Sequence, residues 1–355
     1  MTYQERALLA LNHKKPDRVP IQDTPWPTTL RRWRKEGMPD DVDAAEYFGY
    51  DRWTEFGVDT SPRFPVKMIK ETDEYKIYTT AYGGVRKSFK HRESTPELVD
   101  CLIKSKDDWY NKIKPRLEPD FTRINWADML SKYQTAREEG HFVTYHEGHG
   151  YDLFQSYMKP DELLIAMIED PAWVREMFTT QIKLMIDLCK LMIEKGIKFD
   201  ALFTSNDMGY RNAPFFSPKT YREVIFEGEE MLFGFCRGQG MKTILHCCGS
   251  VKELIPQLIE AGLDCLQPLE VKAGMDLVEL KEKYGNKLAF MGGIDARLMA
   301  DSDPHKIEDE IARKFEAAKR DGAYIFHSDH SVPDNISLEQ YRRVMDLVKK
   351  FGKYS

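Results

Sequence analysis

The stretch KTILHCCGS at 242–250 runs an apolar segment straight into His246, Cys247, Cys248 and Gly249. Along a strand, successive side chains face opposite ways, so His246 and Cys248 share one face and Cys247 takes the other. Imidazole nitrogen and thiolate sulfur are the donors that a borderline-soft cation such as zinc favours, and zinc takes three or four of them. His-x-Cys is therefore half a site. Further donors stand at the ends of neighbouring apolar runs: Asn206 and Asp207 after ALFTS, Glu270 after DCLQPL, Asp295 after FMGGI, and His327, Asp329 and His330 within YIFHSDHS. On a regular strand His327 and Asp329 share a face and His330 takes the other, so the pattern leaves the choice among them open. Asp207 qualifies as an alternative oxygen ligand or as an acceptor that orients an imidazole. Taken singly, a buried cysteine is ordinarily a small hydrophobe and a strand-end histidine a hydrogen-bonded structural residue. The recurrence of donors at several segment ends is what points to a metal.

Elements must bring these ends together. From residue 201 onward, short apolar runs alternate with helical periodicity: ALFTSND, then SPKTYREVIFEGEEMLFGFCRGQG; TILHCCG, then VKELIPQLIEAG; DCLQPLE, then MDLVELKEKYG; LAFMGGID, then HKIEDEIARKFEAAKRDG; YIFHSDHS, then LEQYRRVMDLVKKFG. Buried strands alternating with amphipathic helices imply parallel β/α units. In a (β/α)₈ TIM barrel every strand C-terminus opens on one mouth, whereas an open doubly wound sheet gathers only those at its switch point. No Gly-rich phosphate loop is present, and the barrel is the favoured reading. Upstream, VPIQD (19–23) and FVTYHEGHG (142–150) read as two more strands, and 161–196 as helix broken near Pro171. The chain thus reads as one barrel domain over 1–355, with 141–355 as regular units and 24–140 as insertions roofing the mouth. Within them YKIYTTAYGGVRKSFK reads as a hairpin turning near Gly83-Gly84.

Bulk properties exclude several classes. The 355 residues are 42% hydrophobic and 31% charged, ordinary for a globular protein. A net charge of −6 offers no basic footprint for nucleic acid, and no apolar run approaches a membrane span. The charged, helix-like start MTYQERALLALNHKKPDR differs from a secretory leader, so the expected compartment is the cytoplasm. Six cysteines in so long a chain are expected to be reduced thiols, not a disulfide scaffold. His146 and His149 in YHEGHG could contact a substrate, although a polar loop explains them equally well. The tryptophans of 24–140 read as anchors of insertions or as stacking partners for an aromatic ligand, and Arg31, Arg32 and Arg34 as a solvated helix face.

The sequence resembles the uroporphyrinogen decarboxylase superfamily through ALNHKKPDRVP, SNDMGYRNAPFFSPKTYRE, HCCGSVKELIPQLIEAGLDCLQPLE and FMGGID. The resemblance covers most of the chain and implies a (β/α)₈ barrel. The decarboxylase itself carries an Arg-rich R-Q-A-G-R signature for substrate carboxylates; DTPWPTTLRRWRKEG at 23–37 lacks it. The corrinoid-linked methyltransferases of the superfamily instead hold zinc through His-x-Cys and a distant Cys, at whose place His330 stands here. Glu270 looks like the Glu of related cobalamin-independent methionine synthases. The resemblance thus implies Zn²⁺ on His246, Cys248, His330 and Glu270, with Asp207 or Asp329 as alternatives for the last place. Asp207 and Glu270 would be the catalytic carboxylates, and Tyr145, His149, Asn206 and Tyr210 would line the substrate pocket. The implied activity is methyl transfer from a small donor, such as a methoxylated aromatic, to a Co(I) corrinoid. The chain shows no D-x-H-x-x-G motif, so the corrinoid (cobalamin) would arrive on a separate partner protein. Transfer from a methylcorrinoid to a thiol, a metal-free decarboxylase, and a non-catalytic binding barrel are the alternatives. Two imidazoles and one thiolate would make a stronger Lewis acid than two thiolates. The sequence leaves the oligomeric state open.

Overall fold

A computed structural model describes residues 1–91 and 95–354. Its strands are β1 (Trp53–Phe56), β2 (Met68–Glu71), β3 (Tyr75–Thr79), β4 (Val85–Phe89), β5 (Glu97–Asp100), β6 (Phe142–Gly148), β7 (Ala201–Ser205), β8 (Lys242–His246), β9 (Cys265–Gln267), β10 (Ala289–Met291) and β11 (Tyr324–Ile325). Seven of them form a parallel sheet in the order β1-β6-β7-β8-β9-β10-β11. Residues 20–22 supply the eighth stave: Gln22 N donates to Phe326 O and Phe326 N to Pro20 O on one side, and Asp51 N donates to Ile21 O on the other. The sheet is thereby closed into a (β/α)₈ barrel, as the alternating pattern predicts.

Side-chain alternation splits each stave between lumen and helix layer. Phe142, Ala201, Cys265 and Ala289, the first residues of their strands, with Ala323 just before β11 and Ile244 midway along β8, pack with Ala7, Ala10 and Leu11 of the first helix. That helix, Tyr3–Leu11, starts in a capping box of Thr2 and Glu5 and plugs the N-terminal end. The C-terminal end is left for chemistry. Outside, the helix Pro171–Glu194 follows Pro160–Glu169, with Asp170 between them accepting a hydrogen bond from Trp173 N; this is the break expected near Pro171.

Two readings of 24–140 need separating. The hairpin is present: β3 pairs antiparallel with β4 from Tyr75↔Phe89 to Thr79↔Val85, inside a four-stranded sheet β2-β3-β4-β5. The description of the whole segment as insertions is corrected, because β1 is a barrel stave paired in parallel with β6. With four residues, of which Phe56 alone is fully buried, β1 carries too little apolar pattern to stand out. Among the described residues no helix is long and apolar enough to cross a membrane, and the six cysteines are free.

Candidate metal centre

β8 ends at His246, so Cys248 lies in the following loop, one step beyond regular alternation. What turns it toward His246 is a set of backbone anchors. Cys247 N donates to Gln267 O (2.7 Å) and Ser250 N to Tyr210 O (2.7 Å). Cys248 N donates to Asp207 Oδ1 (2.8 Å), and Met208 N donates to the buried Cys247 thiol (3.2 Å). Gly249 sits at φ +75°, where a Cβ would come within 2.4 Å of the Gly209 carbonyl carbon; only glycine satisfies both the turn and the close approach.

The anchored loop puts Cys248 Sγ 3.2 Å from His246 Nε2. Bonds of about 2.0 Å to nitrogen and 2.3 Å to sulfur at a tetrahedral angle separate the two donors by about 3.5 Å, so this pair is spaced for one ion. Among the described residues, two groups of donors have their ligand atoms within 4.8 Å of one another: Asp207, His246 and Cys248, and Cys248, Glu270 and His330. Cys248 belongs to both. The expected quartet of His246, Cys248, Glu270 and His330 therefore does not fall into a single group; it is divided between two threesomes that meet at the thiol. Each mixes sulfur with nitrogen and oxygen, a donor set that fits zinc with a position left open. Asp207 Oδ1 also lies 3.6 Å from His246 Nε2. Asp329, the other candidate for completing the site, has both carboxylate oxygens engaged by Val271 N (3.1 Å) and Ala296 N (3.0 Å) and ties two loops together. Burial, reinforced by the Asp207 and Glu270 carboxylates, pushes the Cys248 thiol far up. Burial also holds the His330 imidazole below its ordinary value, against the opposing pull of Glu270.

The cluster sits between two openings. Toward the barrel axis lies a cavity of about 330 Å³ lined by His246, Gln267, His327, His330, His146 and Glu55, among others, with no lysine or arginine. His146 stacks on Phe203 with ring centroids 5.2 Å apart, and Glu55 at 3.2 Å pushes its imidazole up. On the other side, a groove of about 500 Å³ is bordered by Tyr210, Arg211, Cys248, Glu270 and Lys272.

Of the residues expected to line the pocket, Tyr210 borders the open groove, 54% exposed, and not the axial cavity. The other three are corrected. Tyr145 is 1% exposed and faces the helix layer, where its hydroxyl donates to Met185 O (3.2 Å). His149 and Asn206 are fully buried around Glu229. His149 bridges Thr204 Oγ1 (2.7 Å) and Glu229 Oε1 (3.0 Å), Asn206 Nδ2 donates to Glu229 Oε1 (3.1 Å), and Tyr221 donates to the other Glu229 oxygen (2.5 Å). They fasten strand ends to helices instead of meeting a ligand. Glu55 and Gln267 went unnoticed in the sequence. The signal was alternation: Glu55 shares a face with Trp53, and Gln267 with Cys265, both of which face the lumen.

The comparisons agree with this architecture. A methyltransferase from Methanosarcina mazei superposes with a TM-score of 0.63 over 99% of this chain and 99% of that one, at 14% identity, a likeness of fold. A uroporphyrinogen decarboxylase from Vesicomyosocius okutanii is 28% identical over 79 residues, 22% of this chain and 23% of that protein; the match thus spans less than a quarter of the relative's length. The sequence pattern of the uroporphyrinogen decarboxylase (URO-D) family matches residues 151–351, and with the closed barrel and its strand-end cluster the chain belongs to that family of enzymes.

Proposed function

We propose that this protein is a zinc-dependent methyltransferase that moves a methyl group from a small donor to a Co(I) corrinoid carried on a separate protein. The observation that carries the reading is the His246–Cys248 pair at 3.2 Å, flanked by Asp207, Glu270 and His330 at the mouth of the barrel. Cys248 would hold the ion together with His246 and Asp207 on one side or with Glu270 and His330 on the other. Bound there, zinc supplies Lewis acidity to the leaving atom of a poor methyl donor. The chain's own residues account for the rest. Asp207 fixes the Cys248 peptide. Phe203, with His146 stacked on it, offers a flat wall to a ring-sized donor in the axial cavity. The groove at Tyr210 leaves the far side of the cluster open to a large partner.

A metal-free decarboxylase is the second reading, and family membership favours it. The axial cavity argues the other way, because it offers no lysine or arginine to a polycarboxylate. Elemental analysis of purified protein decides between them: stoichiometric zinc, lost in Cys248→Ala, is expected. Protein that holds no zinc, and whose Cys248→Ala variant still releases CO₂ from a substrate without any cobalt partner, would sink the methyltransferase reading.

A further inference from the structure

Behind the thiol–imidazole pair runs a second line of buried side chains. His246 Nδ1 lies 2.5 Å from Gln267 Oε1. Gln267 Nε2 lies 3.4 Å from His327 Nε2, and His327 Nδ1 lies 2.7 Å from the Ser328 carbonyl oxygen. Gln267 and His327 are 4% and 3% exposed. The Ser328 end is anchored from outside the lumen: its hydroxyl donates to Asp23 Oδ2 (2.6 Å), which also accepts from Tyr341 (2.7 Å).

The polarity of this chain of contacts is dictated from one end. A carbonyl oxygen only accepts, so His327 Nδ1 carries the proton and its Nε2 is left with a lone pair. That lone pair accepts from the Gln267 amide N–H, which turns the amide so that Oε1 faces His246. Oε1 only accepts, so His246 carries its proton on Nδ1, and Nε2 presents a lone pair to the Cys248 side. The contact at that end agrees: Cys248 Sγ lies 3.2 Å from His246 Nε2, in place for an S–H to donate to that lone pair.

We infer that Gln267 and His327 are positioning residues that lock His246 in the tautomer whose Nε2 is free to bind metal, with the Ser328 carbonyl setting the direction of the relay. The inference rests on the metal-site reading and adds to it two residues that stand behind His246. Partners of metal-binding imidazoles typically change metal affinity 10–100-fold when removed. Here the amide adds a feature that a simple acceptor lacks. It can rotate by half a turn and present N–H to His246, which would favour the wrong tautomer. His327 is what forbids that rotation.

The test measures zinc affinity by competition with a chromophoric chelator, together with ¹⁵N shifts of the His246 ring in metal-free protein. Gln267→Leu is expected to weaken zinc binding about 10–100-fold, and Gln267→Glu, whose carboxylate accepts from Nδ1–H in either orientation, to stay within about threefold of the parent. His327→Leu, remote from the ion, is expected to weaken binding about tenfold through amide rotation, and Gln267→Glu/His327→Leu to restore it. Zinc binding undiminished in folded Gln267→Leu, or no rescue by glutamate, would overturn the relay. If the parent protein itself bound no zinc, the metal reading would fall, and the relay would still be judged by the metal-free ring. Protonation at His246 Nδ1 in the parent, shifting to Nε2 in His327→Leu, supports it; an unchanged tautomer refutes it.

Discussion

The thiol of Cys248 faces two sets of neighbours, His246 with Asp207 and Glu270 with His330, so single residues decide what the cluster can hold. The same strand ends carry polar side chains that look equally chemical in the sequence and do something else. Glu229, fully buried, accepts from His149, Asn206 and Tyr221, three groups that have no water to turn to. Replacing it by leucine strands them, and each unsatisfied buried group costs about 1–3 kcal/mol. Glu229→Leu is therefore expected to lose about 3 kcal/mol or more of unfolding free energy in a denaturant titration, while, on the proposed zinc reading, a folded sample binds the metal as the parent does. A zinc site lost with stability intact would show that this network serves the metal and not the frame.

At the scale of elements, strand ends and the loops beyond them are held by side-chain-to-backbone bonds. Glu147, at the end of β6, accepts from Val58 N (2.6 Å) and Thr60 Oγ1 (3.2 Å) and so fixes the loop that follows β1. Burial pushes its carboxyl from an ordinary 4.5 up to about 7. Between those two values the folded chain binds a proton that the unfolded chain has released, so stability falls as pH rises through this window. The contribution is fully present below about 4.5 and gone above about 7, a span of roughly 3 kcal/mol. Glu147→Gln removes the carboxyl and should flatten this part of the profile, read as urea midpoints at pH 5 and pH 8. An identical slope in the variant would mean that other groups carry it. Burial likewise lifts Asp152 to about 6, so a residual slope of the same sign is expected.

Closure is a property of the whole molecule, and it rests on Asp51. Its carboxylate receives Arg6 (2.5 Å) from the helix that plugs the barrel, Arg18 (2.8 Å) from the chain leading into the first stave, and Ile21 N (2.6 Å) of that stave. One buried side chain thereby ties plug, first stave and the approach to β1 into a ring. Asp51→Ala leaves Arg6 buried beside Asp17 alone, and breaking a buried pair in this way costs about 3–5 kcal/mol. The expected result is an early denaturant midpoint and, on the proposed zinc reading, release of the metal in the same transition, since the mouth depends on closure. A variant as stable as the parent would show that the plug helix is dispensable for the barrel.

Much was legible in the sequence because burial leaves a period. The β/α rhythm after residue 201 predicted β7 to β11 and the closed barrel, and donor types at their ends marked His246, Cys248, Glu270 and His330 as neighbours. β1 was not legible, since four residues with a single fully buried side chain carry no period to read. The roles of Tyr145, His149 and Asn206 were not legible either: residue type says that a group can bond, whereas only the packed helix layer says with what. Likewise the loop that brings Cys248 onto His246, the division of the donors into two threesomes, and the Gln267–His327 relay all depend on contacts between segments far apart in the chain. Local sequence fixes periodicity and chemistry. Distance and direction between such segments come from how the barrel closes.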